Sequence, residues 1–297
     1  MLSFNTNVSR KISLVCTLAF LVGCGAGSNV NPNNPPPVLA SDPPPVTMPG
    51  EIPLLKYAFS VDKSRNNQGL AYINGFYYVG YDVGNGNGVI ERYSKAGVLD
   101  ISYGKVAIPT RHTAELAYRE ADDSLYAVSG GGNEKTFVYK IAADGKTVTK
   151  AINFSDFGNA GLLAIDNTND QFILASTQTG GDAGAVTFRF IDAKNNEVQR
   201  QFTIPSEGTP QGIEIYDSII YFYTNNKISV IDSAGNIIDR WTIVTNGESE
   251  GLTLVVDGNE RYLALGYNSP ARAYTLAPIQ LGSKAPRDKR YVLKPDQ

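Results

Sequence analysis

The chain has 297 residues, a formal net charge of −3, one histidine and two cysteines. A weakly acidic chain is not expected to bind nucleic acid. A single histidine, His112, excludes a multi-histidine metal site.

The first residues set the expected address. Arg10 and Lys11 precede an apolar run, Ile12 to Val22, which is too short to span a bilayer but suits a signal peptide. The run ends in Leu21-Val22-Gly23-Cys24, which looks like a bacterial lipobox. Residues 1–23 then read as a lipoprotein signal peptide, and Cys24 as the acylated residue that anchors the chain to a lipid bilayer. The alternative is an ordinary secretory signal, although Leu21 is a poor residue three places before the cut. Gly25 follows the cysteine, so the expected location is the cell envelope, at the outer membrane if the source is Gram-negative. Cleavage removes Cys16, Arg10 and Lys11, which takes the formal charge from −3 to −5 and leaves only Cys24. No disulfide, thiolate nucleophile or cysteine-ligated zinc is then available.

Residues 24–50 form a tether. Eight prolines lie between residues 32 and 49, and proline runs adopt extended polyproline II that cannot join a sheet.

Residues 51–281 hold five copies of one short pattern. Gln68-Gly69-Leu70, Ala114-Glu115-Leu116, Ala160-Gly161-Leu162, Gln211-Gly212-Ile213 and Glu250-Gly251-Leu252 each open an apolar strand. Measured at Leu70, Leu116, Leu162, Ile213 and Leu252, the spacings are 46, 46, 51 and 39 residues. Repeats of about 40–50 residues built only of short strands mark β-propeller blades. Second strands rich in Tyr, Phe and β-branched residues follow at Phe76–Tyr81, Ser124–Ser129, Phe172–Thr177, Ile219–Thr224 and Arg261–Tyr267. Turn residues such as Asn74-Gly75 and Asp122-Asp123 separate the first two strands. Third strands follow in every copy and fourth strands in the first four. No window keeps a helical apolar period. The fifth copy lacks a fourth strand, and Leu54–Val61 is left over before the first copy. The expected fold is therefore all-β: a five-bladed β-propeller, with blade five closed by the N-terminal strand. Residues 282–297 read as a polar C-terminal tail, rich in Lys and Arg.

The motifs Gln68-Gly69-Leu70, Arg111-His112-Thr113-Ala114-Glu115, Pro210-Gln211-Gly212-Ile213 and Glu250-Gly251-Leu252 resemble the propellers of the teichoic-acid-biosynthesis-protein-C and phage receptor-binding-protein group. That resemblance implies a five-bladed ring over roughly residues 55–277. It supplies no common chemistry.

First strands of a propeller line its channel, and their N-terminal ends form one mouth. Polar residues fall there in every copy: Gln68, His112, Glu115, Asn159, Gln211, Glu248 and Glu250. Polar groups converging on a concavity suggest a ligand site, although such residues also satisfy backbone groups and hold water. The expected function is binding of a glycan or an envelope protein at this mouth or at the longer loops Gly84–Gly88, Gly130–Asn133 and Gln178–Asp182. Glu115 and Glu250 could hold Ca²⁺, or serve as the paired carboxylates of a glycan hydrolase. A protein-docking scaffold is the third alternative. The seventeen tyrosines suit stacking on a ligand, but those on second strands should be core.

Overall fold

The computed structural model describes residues 55–62, 65–84, 87–110, 112–142, 144–178, 184–244, 247–268, 272–276 and 289–292. The expected signal peptide, Cys24 and the tether lie outside them. All described secondary structure is strand apart from two single 3₁₀ turns, Glu120–Asp122 and Ser155–Phe157.

In chain order, β1 is Leu55–Ser60. Sheet one is β2 (Asn66–Ile73), β3 (Phe76–Asp82), β4 (Gly88–Ser94) and β5 (Val106–Ile108). Sheet two is β6 (Thr113–Arg119), β7 (Ser124–Ser129), β8 (Phe137–Ile141) and β9 (Val148–Asn153). Sheet three is β10 (Asn159–Asp166), β11 (Gln171–Thr177), β12 (Ala185–Asp192) and β13 (Val198–Pro205). The fourth sheet begins with β14 (Gly212–Tyr216), β15 (Ile219–Thr224), β16 (Lys227–Ile231) and β17 (Ile237–Val244). The last strands are β18 (Glu248–Asp257), β19 (Glu260–Asn268), β20 (Arg272–Leu276) and β21 (Lys289–Val292).

The strands form five sheets in a propeller arrangement. Four of them have four strands, and the sheet of β14–β17 has five. Each sheet pairs its consecutive strands antiparallel, as hairpin connections require. In the closing sheet the order is β1-β20-β19-β18, so the N-terminal strand supplies the outer position that the fifth repeat lacks. The extra strand is β21, which adds parallel to β17 with Trp241 opposite Lys289 and Val244 opposite Val292. This strand falls in the segment read from sequence as a polar tail; a short stretch around Tyr291-Val292 is enough to extend an open sheet edge.

Second strands are the core, as their continuous apolar sequence requires of strands covered on both faces. β7 is buried at every position. Tyr77, Tyr81, Tyr221 and Tyr223 are among the largest fully buried side chains, so these tyrosines pack between sheets and do not face a ligand. Edge-to-face pairs such as Phe188 on Phe222, with centroids 5.1 Å apart, join sheet three to the fourth sheet.

The repeated glycines are explained by crowding at the axis. A Cβ on Gly69 would lie 2.7 Å from the Glu115 Cα, and one on Gly212 would lie 2.7 Å from the Leu252 Cβ. Gly251 combines a φ of +65° with a Cβ position 2.6 Å from the Gln68 carbonyl oxygen. Next to these positions the ladder slips: β2, β6, β10 and β18 each carry a bulge, between Asn67 and Leu70, Thr113 and Glu115, Asn159 and Leu162, and Glu250 and Leu252. A bulge disrupts the ladder and turns backbone groups away from it.

Candidate functional site

The amides turned out at the axis are collected by one side chain. Glu115 is fully buried. Its Oε1 accepts the amides of Leu70 and Leu116 at 3.1 Å each. Its Oε2 accepts those of Ile213 at 3.1 Å and Leu252 at 3.3 Å. Four strands from four sheets therefore meet on one carboxyl group. Burial pushes its pKa well above the usual carboxylate range, and the bonded amides of Leu70, Leu116 and Ile213 oppose the shift.

Glu115 therefore does not sit at the mouth as expected. Both oxygens are saturated by backbone donors, which leaves no lone pair directed at a ligand. The bulge between Thr113 and Glu115 shifts the register and turns the side chain into the axis. Glu115 and Glu250 thus do not form a calcium site or a hydrolase pair across an open channel. Among the described residues, no group of three or more His, Cys, Asp and Glu side chains could hold a metal ion.

The hub separates two concavities at opposite ends of the inner strands. Ala114 lines one and Leu116 the other. The mouth at the N-terminal ends has a volume of about 220 Å³ and is lined by Gln68, His112, Gln211, Glu248 and Glu250 among others. Five of the seven expected residues are thus brought together. Glu250 lies at its base, 4% exposed, and its Oε1 accepts Asn268 Nδ2 at 3.1 Å and Gln68 Nε2 at 3.4 Å. Burial and then the neighbouring Glu248 push its pKa well above the ordinary value; the bonds from Asn268 and Gln68 oppose this. Glu248 itself is exposed at the rim.

His112 is held by Asp82, with Nε2 3.3 Å from Oδ2, while its Nδ1 is buried with no partner among the described residues. Gly131 and Gly132 of the β7–β8 connection line the same mouth. Of the three expected loops, Gly130–Asn133 thus joins the expected mouth, while residues 85–86 and 179–183 of the other two lie outside the described residues. Asn159 does not join it: its side chain turns to the Gln178 carbonyl oxygen at 3.5 Å, and its Oδ1 is buried with no partner among the described residues. Asp166–Asp170, which resembles a calcium loop in sequence, is an ordinary turn in which Asp166 Oδ1 accepts the amides of Thr168 and Asn169.

Two contributors were not anticipated. Asn268, at the end of a second strand, reaches the mouth because β19 runs antiparallel to β18. Glu214 lies at the opposite mouth, where its Oε2 accepts the Leu254 amide and its Oε1 the Ile215 amide, both at 2.8 Å. Burial raises it to about 7. A glutamate between two isoleucines on an inner strand was the signal available in the sequence.

No family model and no curated protein matches the chain. Solved structures do. A glutaminyl cyclase from Myxococcus xanthus superposes with a TM-score of 0.56 at 13% identity, covering 76% of this chain and 96% of that one. The tail fiber of Staphylococcus aureus phage P68 superposes with a TM-score of 0.54 at 18% identity, covering 78% of this chain. The match spans 53% of the tail fiber. At these identities the likeness shows that the chain has an all-β propeller fold.

Proposed function

We propose that the chain is a lipid-anchored envelope protein whose propeller binds a glycan or an envelope protein at the mouth built around Glu250. The five sheets are read as five blades, with β21 an appendage of the fourth, and Cys24 as the lipid anchor. One observation carries the reading: Gln68, His112, Gln211, Glu248 and Glu250, from four different repeats, line one cavity together with the β7–β8 loop. Sites of this kind, concave and with a few convergent polar groups, are where ligands bind. The His112 Nδ1, buried and unpartnered among the described residues, adds a polar atom that a ligand could satisfy. Hydrolysis by Glu115 and Glu250 is not part of this reading, because Glu115 is committed to backbone amides.

The test is a glycan array and crosslinked capture from envelope extract, each run with the parent protein and with His112→Ala and Glu248→Gln. Recognition that falls in both variants supports the reading. Recognition unaffected by either moves the binding surface to the outer blade edges and makes the chain a scaffold. Replacing Cys24→Ser should remove palmitate labelling and release the protein from membranes; retained labelling would overturn the anchor.

A further inference from the structure

The second concavity lies at the other end of the inner strands, beyond Glu115, and is the larger, at about 640 Å³. That is within the range of small-molecule sites. Its walls include Tyr72, Tyr118 and Tyr216, contributed by β2, β6 and β14. Leu116, Ile165 and Ile215 supply apolar surface. Glu214 lies among them on β14.

The charges around this mouth are unbalanced. Among the described residues that line it, Glu120, Asp166, Glu214 and Asp217 stand against one cation, Arg261; Arg200 acts on Asp166 from outside the lining. Asp166 is occupied in capping its own turn. The carboxylates of Glu120 and Asp217 are exposed and have no side-chain partner among the described residues. Arg261 places its guanidinium over the Tyr216 ring, 6.0 Å from the centroid, so the chain already sets a cation against a tyrosine face here.

We propose that this mouth is a second binding site, independent of the one around Glu250, for a ligand carrying an ammonium or guanidinium group on an apolar body, such as a basic peptide side chain. The apolar body fits the Leu116, Ile165 and Ile215 surface. The cation meets tyrosine faces and the unpaired carboxylates of Glu120 and Asp217, whose field also speeds its arrival. An anionic ligand would meet repulsion from three rim carboxylates and have only Arg261 to bind.

Glu214 makes the site pH-sensitive. It meets the Leu254 amide of β18, has Glu115 behind it on β6, and shares the mouth with Glu120, Asp166, Asp217, Arg261 and the three tyrosines. A bound cation favours the ionised form, so binding strengthens as pH rises through the region where Glu214 titrates, about 7.

The experiment is calorimetric titration of the purified protein with acetyl-Arg-Leu-Arg-amide, and with the same peptide carrying neutral citrulline in place of arginine. The arginine peptide should bind at least about tenfold more tightly than the citrulline peptide, a difference of about 1.4 kcal/mol. Asp217→Asn and Tyr216→Ala should each weaken it about fivefold or more, and binding should strengthen between pH 6 and 8. Asn is well suited to residue 217, where φ is +50°, so that variant should fold; circular dichroism checks it. Glu248→Gln, in the other mouth, should leave the affinity within about twofold. Equal binding of the two peptides, no binding of either, or a loss in Glu248→Gln with none in Asp217→Asn would overturn the proposal. The last result would also place the cation in the Glu250 mouth, separating the failure of this inference from that of the proposed function.

Discussion

Replacing Glu115 with Gln tests the axial hub directly. The substitution keeps the shape of the side chain and changes one acceptor oxygen into a donor amide. Each carboxyl oxygen accepts two backbone amides, so either orientation of the new side chain leaves two buried N–H groups facing an N–H₂ group. A buried donor left unsatisfied costs about 1–3 kcal/mol. Two of them, with partial relaxation, give about 3–5 kcal/mol. A domain of this size loses about 2–4 °C per kcal/mol, so the melting temperature should fall by roughly 10 °C. In the ionised parent each of the four amides meets a lone pair, which the N–H₂ end of Gln cannot offer. Thermal unfolding followed by circular dichroism at neutral pH is the assay. A melting temperature within about 2 °C of the parent would show that the four amides do not depend on this side chain, and the hub argument would fail.

Other outcomes follow from the same geometry. Gly212→Ala should destabilise by about 1–3 kcal/mol, because its Cβ would press on Leu252 and on Glu115 Oε2 at 2.9 Å; a chemical denaturation curve unchanged in midpoint would contradict this. Glu214 has its pKa raised from the ordinary 4.5 to about 7. The folded state therefore holds a proton that the unfolded state has lost, so the stability contribution is complete below about 4.5 and declines as pH rises through about 7. Melting temperatures at pH 5 and 7.5 should show that decline, and Glu214→Gln should flatten it; an equal slope in the variant would refute the assignment. Calcium added after chelator treatment should not raise the melting temperature, since Glu115 cannot serve as a ligand. A rise of several degrees would place a cation elsewhere in the ring.

Much of the fold was legible in the sequence because its causes are local. Tyr- and Phe-rich second strands bounded by Asn, Asp and Gly turns defined hairpins to within a residue or two: Ile219–Thr224 appears unchanged, and Phe172–Thr177 lengthens only to Gln171. The surplus N-terminal strand fills the place of the fourth strand that the fifth repeat lacks, pairing as β1 with the third strand, β20. The mouth was legible for Gln68, Gln211 and Glu250, which share one place in the repeat, two residues before the matched Leu or Ile. Glu115 stands one residue later in the repeat, where the other copies carry Gly69, Gly161, Gly212 and Gly251, and that place faces the crowded axis. Asn159 turned aside to Gln178 for a contact nineteen residues away, which no local pattern encodes. The tail strand β21 depends on an exposed edge of β17, a property of the assembled sheet.

The hub also orders events in time. Glu115 is made early in synthesis, but two of its donors, Ile213 and Leu252, lie 98 and 137 residues further along. The outer strand β1 waits longer still for β20. Until repeat four leaves the ribosome, an early-formed axis would hold a buried acid with half its donors missing, and until repeat five with a quarter missing, so the inner ends of the first sheets are expected to stay loose. Contacts this distant slow folding, because chain entropy must be lost before they form. Hydrogen exchange on chains halted before and after residue 252 should show the inner strands gaining protection only in the longer one.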